Sequence, residues 1–120
     1  MKRDVKTIEV LGTTYDITYV AQDNMNELMG SNEYTGFCDG DLKKIVISTL
    51  DDDTTLSEEK RVAMMSLNLR HEIIHAFLNE SGLSWDAMGC DNWPKNEEMV
   101  GWLAVQLPKV YKVYAHLDIL

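Results

Sequence analysis

The stretch that decides the fold is LRHEIIHAFL, at residues 69–78. His71, Glu72 and His75 form a His-Glu-x-x-His pattern within it. On a helix, residues four apart lie on the same face, so both imidazoles can reach one metal ion. Glu72 lies about a third of a turn away from His71, which favours proton transfer from a bound water over metal ligation. The pattern therefore predicts a metal site carried by one rigid helix.

The surrounding sequence predicts the helix that this site requires. Residues 56–80 contain neither proline nor glycine and are rich in good helix formers. Residues 55–58 fit a capping box with Thr55 as the first cap, and Gly82 is a suitable left-handed stop. Most of the second half of the helix is apolar around its whole circumference, which is typical of a helix buried at the centre of a domain.

The alternative interpretation is a pair of core histidines with a glutamate in a surface ion pair. It is disfavoured because a buried glutamate between two histidines is costly without a cation. The metal interpretation is therefore preferred.

Length and composition predict one domain, residues 1–120, in a reducing compartment. The formal net charge of −9 argues against direct binding to nucleic acid or to an anionic membrane. The charged N-terminus has no apolar stretch behind it, so no signal peptide is predicted, and no apolar run reaches membrane-spanning length. Two cysteines, Cys38 and Cys90, make no disulfide framework. We therefore expect a cytoplasmic protein.

The rest of the chain predicts an α+β fold. Strand-like runs at 7–11 and 14–20 flank Gly12, and a short helix is expected over 21–29, with Gly30 at its end. A second hairpin is expected from runs at 34–38 and 42–48, with Asp39-Gly40-Asp41 between them. Residues 43–48 are the expected sheet edge, available to an extended substrate.

A second helix is expected from about Asn96 to Leu107, with Pro108 bending it or starting another. Its apolar stripe consists of Val100, Leu103, Ala104 and Leu107. The tail beyond repeats this spacing.

The third metal ligand is expected on this second helix. A metzincin pattern is excluded, because Leu78 and Ser81 stand where it needs glycine and histidine. At about 100° per residue, Glu97 lies at the margin of the buried stripe, whereas Glu98 points away from it. Gly101, one turn further on, is expected to let the two helices approach closely.

Other third ligands stay open: they are Glu98, Cys90, Asp91 and His116. The C-terminal His116, Tyr111 and Tyr114 are interpreted as ordinary residues of a packed tail and not as groups that stabilise an oxyanion.

These features resemble a small gluzincin-type zinc metallopeptidase. The residues that carry the resemblance are the His71-Glu72-x-x-His75 helix, the small sheet before it and the following helix that begins near Glu97. Similar proteins are the compact cytoplasmic and phage-encoded zincins of the ImmA/IrrE and SprT-like types. The resemblance implies a minimal zincin-like fold, a Zn²⁺ cofactor, a peptide or protein substrate and hydrolysis with Glu72 as the general base.

Two alternatives to an enzyme remain open. One is a catalytically inactive module stabilised by a closed metal site, with Cys90 or Cys38 as a further ligand. The other is a regulator from a phage or mobile element that uses the fold to bind a protein partner. Neither the substrate nor the oligomeric state follows from the sequence.

Overall fold

The structure is a computed structural model, and it describes residues 6–82 and 96–120. Strand β1 (Lys6–Val10) pairs antiparallel with β2 (Thr13–Val20). Both turn residues, Leu11 and Gly12, have positive φ, which suits the tight turn between twisted strands. Helix α1 (Gln22–Met29) follows and ends at Gly30 in the left-handed conformation. The predicted hairpin and short helix are confirmed.

Strands β3 (Gly36–Asp39) and β4 (Lys44–Ser48) form the second hairpin, which also confirms the prediction. β4 pairs on its other side with β2, in parallel, so the sheet order is β1-β2-β4-β3. The expectation that residues 43–48 form the sheet edge was therefore wrong. β4 lies inside the sheet because its apolar run can be buried on both faces, and β3 is the edge strand.

The sheet lies between two helices. Ile45 and Ile47 of β4 belong to a core cluster that includes Ala76 of helix α2 (Glu58–Glu80). Val46, which points the other way, packs in a second cluster with Met25 of α1. Alternation along β4 therefore gives each helix its own apolar layer. The four-stranded mixed sheet with helices is a small α+β fold, as predicted.

The N-terminal end of α2 differs from the prediction, whereas its C-terminal end agrees with it. The N-cap is Ser57, whose side chain accepts a hydrogen bond from the Lys60 amide, and the prediction of Thr55 was wrong. Thr55 instead donates to Asp53 in the preceding turn, which moves the helix start to Glu58. At the other end, Gly82 has a φ of 88°, as expected of a glycine that stops a helix.

Burial around α2 is less complete than its apolar sequence predicts. Val62, Met64 and Phe77 are 50%, 38% and 41% exposed, so the expectation of burial around the whole circumference was wrong. The sheet covers one side of α2. Helix α3 (Glu97–His116) covers only part of another side. The elements formed by residues 6–82 and 96–120 therefore do not enclose this helix fully.

Side-chain hydrogen bonds tie the C-terminal turn of α2 to the sheet. Glu80 accepts from the Tyr15 hydroxyl at 2.6 Å and from the Lys43 ammonium at 2.8 Å. Tyr15 is fully buried, so its hydroxyl needs such a partner. These bonds fix the helix that carries the histidines against the sheet.

Helix α3 is continuous, with Pro108 inside it. Val100 and Ala104 are buried, which confirms the prediction for these two residues of the apolar stripe, whereas Leu107 is 44% exposed. All residues from 111 to 120 are exposed, so the prediction of a packed tail was wrong for these residues. Within 6–82 and 96–120, none of the helices combines the length and apolar character needed to cross a bilayer.

Candidate metal centre

One face of α2 carries the two histidines. The ring centroids of His71 and His75 are 4.9 Å apart, with an angle of 64° between the ring planes. Their side chains are 22% and 13% exposed, so they lie near the surface of a groove and are not enclosed in the core. Spacing of four residues on a straight helix produces this arrangement.

Glu97, the first residue of α3, meets both histidines. Its Oε2 atom lies 3.0 Å from Nε2 of His71, and its Oε1 atom lies 2.7 Å from Nε2 of His75. Asn96 caps α3 by accepting a hydrogen bond from the Met99 amide at 2.9 Å, which sets the direction of the first turn. One carboxylate therefore joins two helices at the point where both imidazoles converge.

The structure brings together the three residues predicted as metal ligands. Glu97 shares a face of α3 with the buried Val100 and Ala104. Both Glu97 and Glu98 are exposed, but it is Glu97 whose oxygens reach the two imidazoles. The expected role of Gly101 was wrong, because a Cβ atom added there would meet nothing within 4 Å. Gly101 is therefore not a point of close helix approach.

The donor set fits a metal ion. One ligand atom from each of His71, His75 and Glu97 lies within 4.8 Å of the others. Two imidazole nitrogens and one carboxylate oxygen form the three-ligand set of catalytic zinc sites, which leave a further position open. The same atoms also suit other first-row transition metals, so the geometry alone does not select zinc.

Glu72 is close to this cluster without belonging to it. It is 9% exposed, so its side chain is largely removed from water. Burial, followed by the negative charge of Glu97, raises the pKa of Glu72 to about 7. A carboxyl group with this pKa can exchange a proton near neutral pH, as a general base must.

A cleft of about 510 Å³ opens beside these residues, between α2 and the edge strand β3. Gly36 gives β3 its close approach to α2: a Cβ atom there would lie 3.0 Å from Ile47 Cδ1 and 3.5 Å from Glu72 Cγ. The cleft is lined by Tyr34, Gly36, Phe37, Cys38, Glu72, His75, Asn79 and Glu97. The candidate metal ligands and the edge strand β3 therefore border the same cleft.

The sequence interpretation missed two polar residues of this cleft, Tyr34 and Asn79. Asn79 stands one helical turn beyond His75, so continuing the four-residue spacing identifies it. No local sequence pattern identifies Tyr34, because its position in the cleft depends on the order of the strands in the sheet. Gln22 holds its segment by donating to the Tyr34 carbonyl at 2.8 Å.

The alternative ligands are placed as follows. Cys38 lines the cleft but is outside the ligand cluster, and burial raises the pKa of its thiol to about 12, which opposes the thiolate that zinc binds. His116 lies at the opposite end of α3 from Glu97, about 28 Å away at a rise of about 1.5 Å per residue. Cys90 and Asp91 are outside the described residues.

Comparison of the chain with protein-family models, with curated proteins and with solved structures finds no match.

Proposed function

We propose that this protein is a zinc-dependent metallopeptidase of the gluzincin type. The observation that carries the proposal is the position of Glu97, whose two oxygens reach Nε2 of His71 and of His75 from a separate helix. Three protein ligands with one position open are the arrangement of a catalytic site. A bound zinc ion would lower the pKa of a coordinated water to about 7 and would polarise a substrate carbonyl.

Glu72 is assigned the proton transfers. In its ionised form, its carboxylate accepts the proton of the attacking water and then donates it to the departing amine. Its buried position and raised pKa support this role, because both protonation states are accessible near neutral pH. Hydrolysis then breaks the peptide C–N bond and releases a carboxylate and an amine.

The proposed substrate is an extended peptide or a protein segment in the cytoplasm. Within residues 6–82 and 96–120, β3 pairs with β4 on one side only, so among these residues its other edge has no strand partner next to the cleft. An extended chain can bind such an edge by backbone hydrogen bonds. Tyr34 and Asn79 would then face the substrate from the cleft wall.

Glu72→Gln tests the proposal, with Glu98→Gln as the matched control on an exposed glutamate. The zinc-loaded proteins are incubated with denatured casein and a mixture of quenched fluorescent peptides, and their zinc content is measured in parallel. We expect Glu72→Gln to retain zinc and lose hydrolysis, while Glu98→Gln keeps both.

Wild-type rates in Glu72→Gln would contradict the role of Glu72, and loss of zinc would reassign Glu72 to ligation. Zinc binding without hydrolysis in the wild-type protein would instead favour the inactive metal-stabilised module.

A further inference from the structure

Pro108 removes one backbone hydrogen bond from α3. A helical carbonyl normally accepts from the amide four residues later, and for Ala104 that residue is Pro108, which has no N–H group. Ala104 is only 1% exposed, so water cannot easily replace the missing donor. A buried carbonyl without a partner destabilises the fold.

Arg70 of α2 supplies the missing hydrogen bond. Its Nε atom donates to the Ala104 carbonyl oxygen at 2.8 Å. The bond lies at a groove whose other lining includes Ile73, Leu103 and Pro108. A charged donor in apolar surroundings makes a stronger hydrogen bond than a neutral donor in water.

This bond joins the two helices at a second position on α3, in addition to the contacts of Glu97 with His71 and His75. Glu97 and Ala104 are seven residues apart on α3, so they lie on nearly the same face, separated by about two turns or 10 Å. On α2, Arg70 directly precedes His71. Two fixed points on each helix determine both the rotation of α3 and its position along α2.

Packing between these points is less specific. A Cβ atom on Gly101 would meet nothing within 4 Å, so Gly101 itself makes no close contact with α2. Val100 is buried there, but apolar burial has no preferred direction. The hydrogen bond from Arg70 therefore determines how α3 is oriented against α2.

We propose that Arg70 is a positioning residue of the metal centre: by binding the carbonyl that Pro108 leaves free, it sets where α3 presents Glu97 to His71 and His75. This inference rests on the proposed metal site, although it does not require that the site hydrolyse peptides. It predicts that Arg70 and Pro108 act as a pair.

The test is a double-mutant cycle on the full chain. Arg70→Met removes the donor but keeps most of the alkyl stem, and Pro108→Ala gives the Ala104 carbonyl an amide partner within its own helix. Affinities for Zn²⁺ and Co²⁺ are measured by competition with a chromophoric chelator. Lys60→Met is the control, because it removes the same charge from an exposed position of α2.

We expect Arg70→Met to weaken metal binding by about tenfold or more, as loss of a residue that orients ligands commonly does. In the Pro108→Ala background the same change should cost less than about threefold, because the carbonyl no longer needs Arg70. Lys60→Met should not weaken binding, since removing a positive charge does not disfavour a cation.

Wild-type affinity in Arg70→Met would overturn the inference, as would equal losses in both backgrounds. Metal binding without hydrolysis would overturn the proposed function and leave this inference standing. If the wild-type chain binds neither ion, both the metal site and the positioning role of Arg70 are wrong. Denaturant unfolding of the four metal-free proteins then shows whether the pairing of Arg70 with Pro108 is purely structural.

Discussion

Glu97 is the residue on which the candidate site depends most. Its side chain is 69% exposed, yet both of its oxygens are held by imidazole nitrogens from another helix. An exposed glutamate gains little from such a contact in water, because solvent screens the pairing. We therefore assign Glu97 to the proposed cation site at this point.

Glu97→Ala should weaken zinc binding strongly, whereas Glu98→Ala should not, because only Glu97 reaches the imidazoles. Removing one of three ligands is expected to cost at least the 10- to 100-fold typical of losing a supporting partner. Chelator competition on the two purified variants measures this difference. A loss confined to Glu98→Ala would show that the wrong glutamate has been chosen.

At the scale of elements, α2 is fixed near both ends. Ser57 caps its first turn, and Glu80 in its last turn binds Tyr15 and Lys43. A glutamate is disfavoured at a helix C-terminus by the helix dipole, so these partners are what make it favourable there. The site residues lie between the two anchors.

Ser57→Ala should lower the free energy of unfolding by about 1 kcal/mol, because the Lys60 amide loses its acceptor. Thr55→Ala should cost less, since Thr55 does not cap the helix. Urea denaturation of the two variants measures both effects. A larger loss in Thr55→Ala would contradict the observed cap.

The anchor at Glu80 predicts a pH dependence. Hydrogen bonds from Lys43 and then Tyr15 lower the pKa of Glu80 below its usual 4.5. A carboxyl group with a lower pKa in the folded state stabilises the fold above its unfolded pKa, and this stabilisation is lost as the pH falls through the folded value.

Glu80→Gln should therefore show a smaller drop in melting temperature than the wild type between neutral pH and pH values below 4.5. Thermal denaturation of the metal-free protein across this range measures it. Glu27→Gln, at an exposed position of α1, is the control. An unchanged pH profile in Glu80→Gln would mean that this group does not contribute to acid sensitivity.

At the scale of the whole molecule, the candidate site lies where α2, α3 and β3 meet. Helix α2 contributes the two histidines and Glu72, and α3 contributes Glu97, which contacts both histidines. Strand β3 contributes part of the wall of the cleft. α3 contacts the rest of the described chain mainly through α2. A ligand that joins α2 to α3 should therefore stabilise the whole fold.

Zinc should raise the melting temperature by several degrees, because a ligand at about 100 times its Kd stabilises by about 2.7 kcal/mol. Ca²⁺ should have little effect, since it prefers oxygen ligands. Differential scanning fluorimetry with each ion, followed by chelator, measures the shift. His75→Ala should lose it, and a shift retained in that variant would place the bound metal elsewhere.

Local features of this protein could be predicted from the order of its residues. A four-residue period placed His71 and His75 on one face, and the 100° turn per residue distinguished Glu97 from Glu98. Gly12, Gly30 and Gly82 marked a turn and two helix ends, because their positive φ is a local requirement. Such features depend on neighbours in the chain, and so they can be predicted from it.

The neighbours of each element, by contrast, became known only from the folded structure. β4 left the predicted edge for the interior because its second partner, β2, lies well before the β3–β4 hairpin in the chain. The cleft wall at Tyr34 and the bond from Arg70 to Ala104 depend on the same long-range arrangement. Strand order and helix docking are set by the total apolar area that the elements can bury together. That area cannot be predicted from a local sequence pattern.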